Sequence, residues 1–172
     1  HYTNVIMPFD ADPPAVPEDN PVGVHRRSVT VPREWRGRRI VLRVGAAESV
    51  VGAFVNGACV GVGTDSRLPN EFDITPHVRP GRRALVVLVV VRWSAATWVE
   101  DQDQWWHGGI QRSVTLYSTA PSYLADVKAL PGLRAADAAE GAPTGTLDLE
   151  LTVDGPATRQ RGWTVEASVE TL

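Results

Sequence analysis

SVVGAFVNGACVGVG, residues 49–63, holds two short runs rich in β-branched residues, VVGAFV and ACVGV, around the dipeptide Asn56-Gly57. A two-residue type I′ turn needs positive φ at both central positions, and Asn-Gly meets that need better than other natural pairs. The stretch therefore predicts two antiparallel strands joined by a tight turn. Cys59, set in the apolar run AFVNGACVGV, is expected to be a buried thiol. As the chain's single cysteine it cannot form a disulfide within one chain.

The same pattern of β-rich runs and turns extends in both directions. Strands are expected over 25–32 (HRRSVTVP), 38–45 (RRIVLRVG), 49–57, 58–63, 71–75 (EFDIT), 84–93 (ALVVLVVVRW) and 109–119 (GIQRSVTLYST), with RPGRR at 79–83 as a further turn. The apolar run ALVVLVVV, Ala84 to Val91, falls far short of the ~20 residues a membrane span needs and reads as a buried strand. No stretch shows a 3.6-residue period, so the expected class is all-β, a sandwich. Ahead of it, the first 23 residues carry five of the thirteen prolines. Residues before proline are driven toward extended conformations, which predicts an arm laid over a surface.

From Asp126 the texture changes. DVKAL, the Ala/Gly/Pro-rich LRAADAAEGAPTG, TLDLELTVD and GWTVEASVETL follow one another. Leu147, Leu149, Leu151 and Val153 alternate with polar residues, as in a half-buried strand. Three strands are too few for an immunoglobulin-like sandwich of about 100 residues, so a second domain is expected to be truncated. The chain opens on His1 with no charged-then-apolar leader and stops inside an alternating pattern, which leads us to expect a piece of a longer polypeptide.

Charge excludes some partners. Lys and Arg number 17 against 20 Asp and Glu, with no basic stripe, so neither nucleic acid nor a membrane is an expected partner. The four histidines lie far apart and show no zinc-ligand spacing.

The chemistry concentrates in WVEDQDQWWHGGIQR, residues 98–112, which packs Glu100, Asp101 and Asp103 among Trp98, Trp105, Trp106 and His107. On one strand Asp101 and Asp103 would face the same way about 7 Å apart. Nothing nearby supplies the apolar pocket that raises one carboxyl's pKa, so a self-contained catalytic pair is disfavoured against a solvated loop. Trp93 is expected in the core, and at least one of Trp98, Trp105 and Trp106 is expected to support the loop. DSRLPNEFD, 65–73, reads as a loop with its own salt bridges, Arg67 to Glu71 or Asp73, capping the following strand. Asn20-Pro21 either begins a turn or presents an amide, donor and acceptor at once, to a sugar hydroxyl.

By YTNVIMPFDADPPAVPEDNPVG, VNGACVGVGTDSRLPNEFDIT and VVRWSAATWVEDQDQWWHGGIQRSVTLY, the chain resembles glycoside hydrolase family 2, and within it the large bacterial β-galactosidases. The resemblance implies an N-terminal jelly-roll, galactose-binding-like domain over 1–122 with its arm. A partial immunoglobulin-like domain over 123–172 would follow, then a TIM barrel with two catalytic glutamates that have no counterpart here. Such a fragment supplies no catalytic residue. It contributes Asp103, matching the last acid of the family's EDQD loop, to a galactose hydroxyl and a sodium ion, and Asn20 to the substrate. The parent would hydrolyse β-galactosides such as lactose with retention, bind sodium and magnesium, form a homo-oligomer and reside in the cytoplasm. QWWHGG departs from the family pattern and leaves Trp105, Trp106 and His107 without an assigned role. Two other readings stand beside this one: a free-standing carbohydrate-binding module, and a structural domain that buttresses a barrel and an oligomer.

Overall fold

The computed structural model describes residues 6–100, 102, 104–134, 143–159 and 164–170. It divides into two compact units, His1–Ser118 and Thr119–Leu172.

In the first unit, strands β1 (Val22–Thr30), β2 (Arg39–Val44), β3 (Ala47–Glu48), β4 (Val50–Val55), β5 (Ala58–Gly63), β6 (Asn70–Asp73), β7 (Arg83–Val91), β8 (Gly109–Ile110) and β9 (Val114–Thr119) form three sheets, ordered β1-β7-β4-β5, β6-β2-β9 and β3-β8. The core lies between the larger two. Ile40, Leu42 and Val44 of β2, with Phe72 of β6, meet Val51, Ala53 and Val55 of β4 and Ala84, Val86, Leu88 and Val90 of β7. Each set is every second residue of its strand, which is how a pleated sheet offers one face to a second layer. The β-sandwich expected from the sequence is thus present.

The β4–β5 turn is as the Asn-Gly pair predicts, with φ of 50° at Asn56 and 88° at Gly57. The Asn56 amide nitrogen donates to the His77 carbonyl at 2.8 Å, and its oxygen accepts the Leu85 N–H at 2.9 Å. The turn residue therefore also ties two neighbouring segments together.

Several expectations are corrected. ALVVLVVV is buried on one face only: Leu85 is 43% exposed, because no second layer covers the outer side of its sheet among the described residues. Cys59 is exposed, since its neighbour Val60 on edge strand β5 packs against the core and successive side chains point to opposite faces. The strand expected over 109–119 is two strands, because β8 pairs with β3 whereas β9 lies beside β2. One short helix, α1 (Ala95–Glu100), forms where none was expected. At six residues it is too short to display a period. Its start is closed by the Thr97 hydroxyl, which accepts the Ser94 N–H at 3.0 Å.

In the second unit, β10 (Tyr123–Arg134) and β11 (Thr144–Asp154) form an antiparallel hairpin followed by a 3₁₀ turn, Pro156–Arg159. The strand expected from GWTVEASVETL is not formed over 164–170. Alternation alone does not make a strand; the backbone needs a ladder partner. Among the described residues no helix is long and apolar enough to cross a membrane.

Candidate functional site

The first unit gathers the patterned sequence blocks around Trp93, which follows β7 and is buried as expected. Asn20 of the arm clips onto its backbone twice: Nδ2 donates to the Trp93 carbonyl at 2.8 Å and Oδ1 accepts the Trp93 N–H at 3.0 Å. Phe9, also on the arm, meets Trp93 and Trp98 edge to face at centroid distances of 5.3 and 5.2 Å. Trp98 Nε1 donates to the Ala15 carbonyl at 2.8 Å. On the other side Trp106 packs against Trp93 at 5.3 Å, and the Arg92 guanidinium lies 4.5 Å from the Trp93 ring centroid. The indoles of Trp98 and Trp106 therefore fasten the arm and the acidic segment to the sandwich. Trp105 is the outlier. It is 45% exposed and stacks on His107 with 20° between ring planes.

The acids divide. Glu100, at the end of α1, is a tether: Oε1 accepts the Ser66 N–H at 3.0 Å and Oε2 accepts the Ser66 hydroxyl. Asp101 and Asp103 lie outside the described residues. The DSRLP and EDQD blocks, 34 residues apart in sequence, are thus joined through Ser66 and Glu100.

A second link was not foreseen. Glu48 of β3 is buried and receives the backbone N–H groups of His107 and Gly108, both at 2.8 Å, the Gln111 amide at 3.1 Å and Arg67 at 3.4 Å. Its signal in the sequence is slight. It is the lone charge in the apolar stretch GAAESVVGAF, and a charge so placed requires partners.

Arg67 does not pair with Glu71 or Asp73. Those acids go across the β2–β6 ladder, Glu71 to Arg43 at 3.4 Å and Asp73 to Arg39 at 3.1 Å, because the register sets Glu71 opposite Arg43 and Asp73 opposite Val41, diagonal to Arg39 two residues away. The loop's own turn is held by Asp65, whose Oδ1 accepts the N–H groups of Arg67 and Leu68 at 2.8 Å each. Those two donors, Leu68 first, hold the Asp65 carboxyl below its ordinary pKa.

Beside this assembly lies a cleft of about 450 Å³ lined by His25, Arg92, His107 and Ile110 among others. A second, of about 600 Å³, runs between β1 and β9. No aspartate or glutamate lines either. Glycoside hydrolysis by paired carboxylates needs two of them flanking one bond, roughly 5–9.5 Å apart, and these clefts offer none. Nor do the described residues contain a group of three or more His, Cys, Asp or Glu that could hold a metal ion. What the arrangement does is brace a loop.

A family model described as "Glycosyl hydrolases family 2, sugar binding domain" matches residues 1–121. Among curated proteins, a β-galactosidase of Arthrobacter sp. (strain B7) is 43% identical over 159 residues, 91% of this chain and 15% of that protein. A β-galactosidase of Klebsiella pneumoniae (strain 342) is 41% identical over 170 residues, 98% of this chain and 16% of that protein. The chain thus spans about a sixth of the length of these relatives. Among solved structures, a Ruminococcus gnavus β-glucuronidase aligns with TM-score 0.63 at 19% identity, covering 77% of this chain and 24% of that one. A Bifidobacterium dentium β-glucuronidase aligns with TM-score 0.62 at 23% identity, covering 78% and 27%. At such identities the likeness is one of fold.

Proposed function

Since this chain belongs to family 2 of the glycosyl hydrolases, matching that family's sugar-binding domain over residues 1–121, we propose that it is the N-terminal, non-catalytic portion of a β-galactosidase. Its relatives named β-galactosidase support that reading. In it, the two catalytic glutamates belong to a TIM barrel elsewhere in the parent, which hydrolyses terminal β-galactosides such as lactose with retention. This domain lends a loop to that site. The observation that carries the loop's role is the bracing of the segment after Glu100 by Ser66, Arg67 and Glu48, because a side chain that must meet a ligand in another domain needs a fixed base.

Asp103 is the side chain that meets the sugar in this reading. A carboxylate accepts a hydroxyl's hydrogen bond strongly and gives a hard oxygen to an alkali cation such as sodium. In this reading sodium and magnesium are bound in the full-length parent, which we also take to be a homo-oligomer. Asn20 keeps one N–H and one lone pair beyond its clip on Trp93, enough for a single sugar hydroxyl.

Assay of residues 1–172 and of the full-length protein on an aryl β-galactoside tests the division of labour. The fragment is expected to show no turnover, and Asp103→Asn in the full-length protein to lower kcat/KM by about ten- to a hundred-fold, the range for a lost charged hydrogen bond. Turnover by the fragment would overturn the proposal, and unchanged kinetics in the variant would assign the domain a structural role. The exposed Trp105 ring favours one other reading, a module that binds sugar alone. Calorimetric titration of residues 1–172 with galactose, showing no heat at millimolar sugar, would sink that one.

A further inference from the structure

We propose that Glu48 is a positioning residue: its buried carboxylate fixes residues 104–108, which follow Asp103 in sequence, and so governs substrate affinity. The inference rests on the reading that this loop meets the substrate.

Glu48 is 3% exposed, and both of its oxygens are occupied. Oε2 takes the His107 and Gly108 N–H groups at 2.8 Å each and the Gln111 amide at 3.1 Å; Oε1 takes Arg67 at 3.4 Å. Arg67 in turn donates to Gln111 Oε1 at 2.8 Å, and with the Gln104 amide oxygen turned toward it also donates there at 3.1 and 3.0 Å. Its neighbour Ser66 holds Glu100. Besides the packing of Trp106 on Trp93, Glu100, Gln104, His107 and Gly108 are thus held by hydrogen bonds that lead to Ser66, Arg67 or Glu48.

Hydrogen bonds to a carboxylate are charge-assisted, about twice as strong as neutral ones. Replacing Glu48 by Gln keeps the shape, removes the charge and turns an NH₂ toward donors that need an acceptor. The bonds to His107 and Gly108 fail first, and the loop spreads over several arrangements. A ligand's apparent dissociation constant rises in inverse proportion to the competent fraction. Once sugar has bound, the loop is in place and chemistry on the barrel proceeds as before. The signature is a raised KM with little change in kcat, which a general loss of folding would not produce.

The experiment uses the full-length protein carrying Glu48→Gln, Asp103→Ala and both, with steady-state kinetics and hydrogen exchange over residues 104–108. The expected result is a KM raised about ten-fold with kcat within about two-fold, faster exchange at 104–108, and no further rise in KM when Glu48→Gln is added to Asp103→Ala. An Asp103→Ala effect without a Glu48→Gln effect overturns the role of Glu48 and leaves the proposed function standing. No effect from Asp103→Ala sinks the proposed contact itself, and with it this inference. Should Glu48→Gln fail to fold, Arg67→Lys, which gives up the planar fork reaching Gln104 and Glu48 together, is expected to show the same split. Its absence there would overturn the proposal.

Discussion

Strands β7 and β11 carry the same alternation of apolar residues and meet different fates. In β7, Ala84, Val86, Leu88 and Val90 are all buried against the facing sheet. In β11, Leu147 and Leu149 remain 43% and 39% exposed. The sandwich has a second layer; the hairpin β10–β11 has none among the described residues. Alternation thus tells which face of a strand is apolar, and a second sheet decides whether that face is buried. An isolated two-stranded hairpin is marginal in water for the same reason. The sharpest way to break this comparison is to truncate one leucine in each place. Leu42→Ala, at a site 1% exposed, is expected to cost about 2–5 kcal/mol, while Leu149→Ala stays within about 0.5 kcal/mol. Urea unfolding of residues 1–172 followed by circular dichroism measures both, and equal losses would mean that the hairpin has a core of its own.

A smaller effect is expected at the turn that made the fold readable. Gly57 has φ of 88°, and placing a side chain on left-handed backbone costs about 1–2 kcal/mol, so Gly57→Ala should lower stability by about that much. A loss below a few tenths in the same urea experiment would show that the bonds from Asn56 to His77 and Leu85, rather than the backbone freedom of Gly57, hold the turn in place. The turn was legible because its information is local, two residues with the φ preference it needs. Features set by distant partners were not. The break between Ile110 and Val114 depends on β8 finding β3 while β9 lies beside β2, and the exposure of Cys59 depends on β5 being an edge with Val60 turned inward.

The site divides along the same line. The DSRLP and EDQD blocks stand out in the sequence as patterns, as does the arm with Asn20. How they join does not, because Ser66 reaches Glu100 across 34 residues and Glu48 reaches His107 across 59. Arg67 was expected to pair within its own loop, where sequence proximity supplies two acids. The β2–β6 register gives those acids to Arg39 and Arg43 and leaves Arg67 for Glu48. Strand pairing outcompetes a short loop contact here because cross-strand neighbours are already held at the right distance.

The smallest expected effect contrasts an ionised group in each unit. Asp65 is held below its ordinary pKa of 3.8 by the N–H groups of Leu68 and Arg67. A carboxyl whose folded pKa lies below its unfolded one contributes stability that is fully present above the unfolded value and is lost as pH falls through the folded one. Stability of the sandwich should therefore decline as pH drops below about 4. Asp65→Asn keeps an oxygen for the turn but cannot be protonated, so it should be less stable than the parent at neutral pH and lose less on acidification. The hairpin's ion pair, Lys128 with Glu150 at 3.3 Å, is exposed at both ends, 57% and 71%, and such pairs are weakened by salt and water. Glu150→Gln should leave stability at neutral pH almost unchanged. Thermal melts at pH 7, 5, 4 and 3 on the three proteins decide it. A shallower acid loss from Glu150→Gln than from Asp65→Asn would place the acid-sensitive contacts in the hairpin and reverse the comparison.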